Sequence, residues 1–129
     1  MGRSELREKA MIILYQIDIC NDQNISYDIE KIIKDNLEVD NEFVKELVFG
    51  VVTYKKDLDI KANKYMTDWT VDRLDKTGAA ILRIALFELT YTDTPEVVVI
   101  NEAIELAKKY SDDAVRKIIN AVLDKVIKE

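Results

Sequence analysis

The chain has 129 residues, of which 48% are hydrophobic and 34% charged, so one domain with a buried core is expected over residues 1–129. Only three glycines and one proline are present, which favours helices over a turn-rich β protein. The net charge of −6 excludes a broadly basic nucleic-acid-binding domain, although a local basic patch is compatible with it.

Two helices are predicted at the amino-terminal end. The first begins with Ser4 as its cap and runs to about Cys20, because apolar residues recur at helical spacing. A polar turn follows, and Ser26 is expected to cap a shorter second helix. The inward faces are formed by Leu6, Ala10, Ile13, Leu14 and Ile17 in the first helix and by Ile29, Ile32, Ile33 and Leu37 in the second.

The third helix is the longest of the predicted elements. It is expected to begin with Asp40 as its cap and to reach about Lys64. Gly50 lies in its middle, where glycine costs about 1 kcal/mol relative to alanine, so we expect a neighbouring helix to pass close by. Beyond this helix, Trp69 is expected to fill the core between the two halves of the chain.

The central helix is predicted over Ala79–Tyr91. Before it, Thr70 is expected to cap a short helix, Val71–Asp75, and Gly78 to separate the two helices. The central helix is apolar nearly all the way round, which is typical of a buried helix. We therefore expect the rest of the chain to pack around it.

Two charged residues, Arg83 and Glu88, interrupt the central helix. They lie about 140° apart around the helix axis, so each needs its own partner if it is buried. A buried polar tie between helices is favoured over a ligand contact. Asn101 and Glu102 on the neighbouring helix are the candidate partners.

Two further helices complete the predicted fold. Thr94 and Pro95 precede a helix over Val98–Tyr110, and the β-branched run at residues 97–100 is interpreted as the start of a buried helix because no partner strand is visible. The last helix begins near Asp112 and buries Val115, Ile118, Ile119, Val122 and Val126. The predicted fold class is all-α, with about seven helices.

The composition offers little catalytic chemistry. Histidine is absent, which removes the commonest general base and most zinc sites. Cys20 has no histidine to activate it, and no glycine-rich phosphate loop occurs. We therefore predict that the protein is not an enzyme and has no metal or cofactor.

Several features predict a cytoplasmic protein. No apolar run approaches the roughly 18–20 residues that a membrane-spanning helix needs, and Met1–Ala10 lacks the pattern of a secretory signal. Cys20 is the only cysteine, which excludes an internal disulfide and indicates a reducing compartment.

Four residues of the first helix, Arg3, Arg7, Met11 and Tyr15, are spaced four apart. This spacing predicts that two guanidinium groups and an aromatic ring share one outward side. Arginine and tyrosine together suit single-stranded RNA, in which phosphates are contacted and bases stack on rings. An ordinary solvated face is the alternative. If the RNA interpretation holds, Arg7→Ala weakens RNA binding and leaves thermal stability nearly unchanged.

Two stretches that flank Pro95 resemble the NusB family of bacterial transcription factors. They are Ala80–Leu89, with the sequence AILRIALFEL, and Ile100–Lys108, with the sequence INEAIELAK. Shorter matches extend the resemblance over nearly the whole chain, at Arg7–Ala10, Leu14-Tyr15, Gly50-Val51 and Asn120 with Leu123-Asp124.

This resemblance implies two packed helical halves and binding of the boxA element of ribosomal RNA leader transcripts, as a heterodimer with the ribosomal protein NusE. NusA, NusG and RNA polymerase would complete the complex, which suppresses premature termination. The implied RNA contacts are Arg3, Ser4, Arg7, Tyr15, Tyr65, Lys117, Ile118 and Asn120. The implied NusE contacts lie in the region of Arg73, Leu74, Lys76, Gly78 and Arg83.

Other functions remain open at this point. Ile118 stands where the family usually carries phenylalanine, which removes one stacking contact. NusB-like domains also occur as RNA-binding modules of ribosomal RNA methyltransferases, and a helical protein-interaction module without RNA binding would fit the acidic charge. The sequence does not distinguish a monomer from a homodimer.

Overall fold

The computed structural model describes residues 1–129 and contains six α-helices, one short 3₁₀ helix and no β-strand, which confirms the all-α prediction. No helix is both long enough and apolar enough to span a membrane. The elements in chain order are α1 (Arg3–Asp22), α2 (Ile29–Asn36), α3 (Glu42–Lys64), the 3₁₀ helix (Val71–Arg73), α4 (Lys76–Tyr91), α5 (Glu96–Tyr110) and α6 (Asp113–Ile127).

Helix α4 is the centre of the fold, as its apolar sequence predicts. It contacts α1, α3, α5 and α6, and every residue from Gly78 to Glu88 is buried. Helices α1, α2 and α3 form one half of the protein, and α4, α5 and α6 form the other. One continuous apolar core includes residues from all six helices.

Three predicted helix caps are wrong by one or two residues. Ser4 lies inside the first turn of α1 rather than before it. Asp28 caps α2 in place of Ser26, and Asn41 caps α3 in place of Asp40; each accepts a hydrogen bond from a backbone N–H of the first turn at 3.0 Å. Several neighbouring side chains have the chemistry to cap a helix, and only the backbone path decides which one reaches the free N–H groups.

Gly78 does not separate two helices but lies in the first turn of α4. Asp75 caps this helix, and the N–H of Gly78 donates to its carboxylate at 3.3 Å. A Cβ atom at residue 78 would lie 2.6 Å from Cγ1 of Val115, so glycine permits the close approach of α6. Because Asp75 serves α4, the predicted short helix is only the 3₁₀ turn Val71–Arg73.

The predicted close contact of a neighbouring helix at Gly50 is confirmed. A Cβ atom there would lie 2.2 Å from Cε1 of Phe87, a side chain of α4. The absence of a side chain at Gly50 therefore lets α3 pack directly against the Phe87 ring.

Three apolar side chains that were expected in the core are exposed. Trp69 is 38% exposed, so its predicted position between the two halves of the chain is wrong. Residues 97–100 are helical, as predicted, but Val97 is 65% exposed and Val98 is also exposed. Only the following residues of α5 turn toward the core, because a helix directs about one face inward.

The two charged residues of α4 form separate buried ties, as the structural interpretation predicts. Arg83 donates to Asp59 at 2.8 and 3.0 Å and to Asp18 at 2.9 Å. Burial by itself would lower the pKa of Arg83, but the hydrogen bonds and charges of these carboxylates outweigh it and raise the pKa. Glu88 accepts two hydrogen bonds from Arg7, each at 2.9 Å.

The predicted partners of these charges on α5 are wrong. Asn101 is exposed and forms no hydrogen bond with either residue. Glu102 lies 3.8 Å from the Arg7 guanidinium and accepts a hydrogen bond from Ser4 at 2.6 Å. Because α1 lies against α4, it supplies the cation for Glu88 from a position 81 residues earlier in the chain.

Candidate functional site

Five of the eight predicted RNA-contacting residues line two separate concave regions, and the first region is a cleft beside the start of α1. This amino-terminal cleft has a volume of about 510 Å³. Its lining residues are Arg3, Arg7, Phe43, Glu46, Thr92, Asp93, Thr94, Pro95, Val98 and Glu102. The Arg3 guanidinium lies 4.4 Å from the centre of the Phe43 ring. The cleft therefore offers an exposed cation held against an aromatic face.

The predicted outward row on α1 is wrong at its two middle positions. Arg3 and Tyr15 are exposed, whereas Arg7 is 3% exposed and Met11 is fully buried. Helix α1 packs against α2, α3 and α4. Residues spaced four apart drift around the helix axis, so Arg7 and Met11 face these neighbouring helices while the ends of the row face solvent. The unpaired charge of Glu88 was the sequence signal that could have identified Arg7 as a buried partner.

The second region is a groove between the end of α3 and α6, called here the α3–α6 groove. Its volume is about 250 Å³, and its lining includes Tyr65, Met66, Trp69, Lys117, Ile118 and Lys125. The fold thus brings together Tyr65, Lys117 and Ile118, three of the residues that the family resemblance implies. Asn120 is exposed on α6 but does not line this groove.

Among the residues of this groove that sequence reasoning missed, Trp69 and Lys125 have the side chains best suited to contact a nucleic acid. Trp69 was expected in the core, and its exposure depends on the irregular segment between α3 and the 3₁₀ helix. Lys125 lies two turns beyond Lys117 on α6, and an eight-residue spacing on one helix was a signal that could have joined them.

The hydroxyl group of Tyr65 is already occupied by an anion within the protein. It donates a hydrogen bond to the carboxylate of Glu129, which also lies 2.9 Å from the Lys61 ammonium and 3.7 Å from that of Lys64. The hydrogen bond from Tyr65, followed by the one from Lys61, lowers the pKa of the Glu129 carboxyl. A carboxylate thus occupies a place that suits the oxygens of a phosphate group.

The region expected to contact a protein partner is only partly on the surface. Arg73 is exposed and Lys76 half-buried, and Lys76 forms an ion pair with Asp22. The other three residues of this predicted region are buried in the packing of α4 and the turn before it: Leu74, Gly78 and Arg83.

No group of three or more histidine, cysteine, aspartate or glutamate side chains is arranged to hold a metal ion. Cys20 is half-buried near the end of α1. In the α3–α6 groove, lysines and aromatic rings share one lining, an arrangement suited to anionic polymers with stacked bases. The amino-terminal cleft differs, because the carboxylates of Glu46, Asp93 and Glu102 line it beside the arginines.

Comparison with known proteins gives consistent matches to one family. A family model for the NusB family matches residues 4–128. The transcription antitermination protein NusB of Macrococcus caseolyticus is 42% identical over 130 residues, which cover 99% of this chain and 98% of the relative. NusB of T. maritima superposes with a TM-score of 0.85 at 30% identity, covering 100% of this chain and 92% of that one.

A second solved structure contains partners. It is a crystal structure of the antitermination factors NusB and NusE in complex with double-stranded RNA. The matching chain superposes with a TM-score of 0.81 at 26% identity, covering 99% of this chain and 98% of that one.

Proposed function

Because the chain belongs to the NusB family, we propose that it is a transcription antitermination factor that binds boxA-type RNA of ribosomal RNA leaders. It binds this RNA cooperatively with NusE and acts with NusA, NusG and RNA polymerase. It works in the cytoplasm as a single RNA-binding domain over residues 1–129, without enzymatic activity. NusE and RNA are present with the matching chain of a solved structure. The boxA element, NusA, NusG and RNA polymerase are what the family resemblance implies.

The α3–α6 groove is the observation that carries the RNA part of the proposal. The protein has a net charge of −6, yet Lys117 and Lys125 project beside the rings of Tyr65 and Trp69 in this groove. Local cations release counterions from a phosphate backbone, and rings accept stacked bases. An acidic protein with such a groove has a limited RNA surface and gains affinity when a basic partner joins it.

The proposed RNA contacts come from both ends of the chain. At the start of α1 they are Arg3, which lines the amino-terminal cleft, and the exposed Ser4, with Tyr15 exposed farther along the helix. In the second half they are Tyr65, Lys117, Ile118 and Asn120. Arg7 acts from behind this surface, because its guanidinium is buried against Glu88 and holds α1 in place.

The proposed NusE surface centres on the accessible residues Arg73 and Lys76. Leu74, Gly78 and Arg83 support it from the interior and make no direct contact in this proposal. Lys76 would have to leave its ion pair with Asp22 to contact a partner. The surface therefore depends on the end of the 3₁₀ helix and the first turn of α4.

The test is a titration of fluorescently labelled boxA RNA with the chain, followed by anisotropy, in the presence and absence of NusE. A scrambled RNA of the same composition is the sequence control. We expect preference for boxA and tighter binding with NusE. Retention of NusE without any RNA binding would instead identify a protein-interaction module.

Matched lysine variants connect the titration to the structure. Lys117→Ala removes a groove cation, whereas Lys34→Ala removes an exposed lysine of α2. For single-stranded RNA, each lost phosphate contact lowers the slope of log K against log salt by about 0.7. We expect this change for Lys117→Ala only, and equal slopes for the two variants would contradict the assignment of the groove.

Double-stranded RNA is a second candidate ligand, because a matching structure contains it. The same titration with a boxA duplex distinguishes the two forms. The exposed Trp69 ring in the groove favours the single strand, since paired bases are stacked on each other and do not present their faces.

A further inference from the structure

We propose that Trp69 is the base-stacking residue of the α3–α6 groove, a role that rests on the proposed RNA binding. Ile118 offers this groove an apolar contact but no ring. An indole beside it supplies the aromatic surface on which an unpaired base stacks. No feature of the sequence pattern had assigned this residue to a binding surface.

The exposure of Trp69 is the first observation behind this assignment. The ring is 38% exposed although tryptophan is the largest apolar side chain of the protein, and it lines a groove instead of the core. A large apolar side chain at the surface, next to a concave region, is typical of a binding site. Tryptophan also has the widest face for stacking on a base.

The second observation is that the Trp69 ring is held by its neighbours. The Arg73 guanidinium lies 5.0 Å from the centre of the ring and donates a hydrogen bond to the carbonyl oxygen of Asp68 at 3.0 Å. Asp68 has a φ of 65°, a left-handed conformation that is uncommon outside glycine. At the other end of the segment, the N–H of Val71 donates to the Asn63 side chain at 2.9 Å.

These contacts fix the segment from both sides and limit the freedom of the indole before any ligand arrives. A ring that is already ordered loses little entropy when a base stacks on it, so more of the stacking energy contributes to affinity. Arg73 also places a positive charge over the ring.

The charges around the Trp69 ring indicate which chemical class of ligand the groove binds. Lys117 and Lys125 line the same groove and are exposed, and the lysine–carboxylate ion pairs of the chain involve other lysines. Free cations next to a ring fit a polymer that alternates phosphates with flat bases. A single strand is required, because only unpaired bases expose their faces.

Trp69 provides its own probe, since it is the only tryptophan in the chain. The intact protein is titrated with unlabelled single-stranded boxA RNA while its intrinsic fluorescence is recorded. We expect quenching that saturates with RNA binding. Long-chain inorganic polyphosphate, which has the charges but no bases, is expected to leave the emission nearly unchanged.

Two substitutions separate stacking from charge. Trp69→Leu is expected to weaken RNA binding about tenfold, and Trp69→Phe to weaken it less, because a smaller ring remains. Neither variant should change the salt dependence, since the indole neutralises no phosphate, whereas Lys117→Ala should lower the slope. Tyr91→Leu, which alters an exposed ring outside the groove, is the matched control.

The possible outcomes separate this inference from the proposed function. If the wild-type chain binds no RNA with or without NusE, both are overturned. If it binds boxA but Trp69→Leu keeps full affinity and the emission does not change, only the stacking role is overturned. The stacking role is also overturned if NusE alone changes the emission of Trp69 and RNA does not. If Trp69→Leu fails to fold, the folded Trp69→Phe variant and the wild-type titration decide, and an unchanged wild-type emission on RNA binding overturns the stacking role.

Discussion

Replacing Arg7 by alanine should strongly destabilise the protein. The Arg7 guanidinium is 3% exposed and donates two hydrogen bonds of 2.9 Å to Glu88, which is 1% exposed. Without Arg7, the Glu88 carboxylate keeps only a 3.5 Å contact to the hydroxyl of Thr94. This reverses the expectation that Arg7 projects outward and that its loss affects RNA binding alone.

The size of the effect follows from this geometry. Removing one partner of a buried ion pair costs about 3–5 kcal/mol, because the remaining charge is buried without compensation. The unfolding entropy is about 2.1 cal/mol/K per residue, so for a chain of this length the loss corresponds to a decrease in melting temperature of about 11–18 °C. Removal of the Arg7 side chain also leaves a space beside Phe43, because the Arg7 guanidinium carbon lies 5.2 Å from the centre of the Phe43 ring.

Thermal and urea unfolding, followed by circular dichroism at pH 7, measure the loss. Arg3→Ala is the control on the same helix, and its exposed side chain should contribute no more than about 1 kcal/mol. The double variant Arg7→Met with Glu88→Leu should recover most of the stability, because an apolar pair needs no charge compensation. A melting temperature of Arg7→Ala within about 3 °C of the wild type would refute the reasoning.

Three other substitutions test different parts of the structure. Glu129→Gln should strengthen RNA binding in the anisotropy titration, because it removes a carboxylate that competes with phosphate for Tyr65; weaker binding would contradict this role. Gly50→Ala should lower the unfolding free energy by about 1–3 kcal/mol in urea melts, since the new Cβ meets the buried Phe87 ring at 2.2 Å. Hydrogen bonds from Tyr110 and then Lys109 lower the pKa of the Glu8 carboxyl below its ordinary value of 4.5. The stability that they add is therefore present above pH 4.5 and is lost as the pH falls through the lowered pKa. Glu8→Gln should therefore reduce the melting temperature at pH 7, and its effect should shrink progressively as the pH is lowered below 4.5.

Much of the helical fold could be predicted from the sequence, because helical periodicity is a local property. The central position of α4 follows from its nearly continuous apolar residues, and the close packing at Gly50 follows from an unfavourable residue in mid-helix. The helix ends were less predictable. Ser26 and Asp28 both have capping side chains, and the choice between them depends on backbone conformation.

The candidate site was predictable only in part. Family resemblance identified Tyr65 and Lys117, and the fold brings them to one groove although they are 52 positions apart in the sequence. Trp69 could not be placed there, because composition and spacing favour the core for an isolated tryptophan. Its position results from the left-handed turn at Asp68 and from the contact with Arg73.

The sequence by itself therefore determined the helices, the buried central helix and the need of Glu88 for a cation. The tertiary structure decided that this cation is Arg7, that Trp69 faces a groove, and that charges of an acidic chain form a local basic surface. The physical reason is the range of the interactions. Periodicity and capping act over a few residues, whereas ion pairs and grooves form between side chains that only the packing of distant helices brings together.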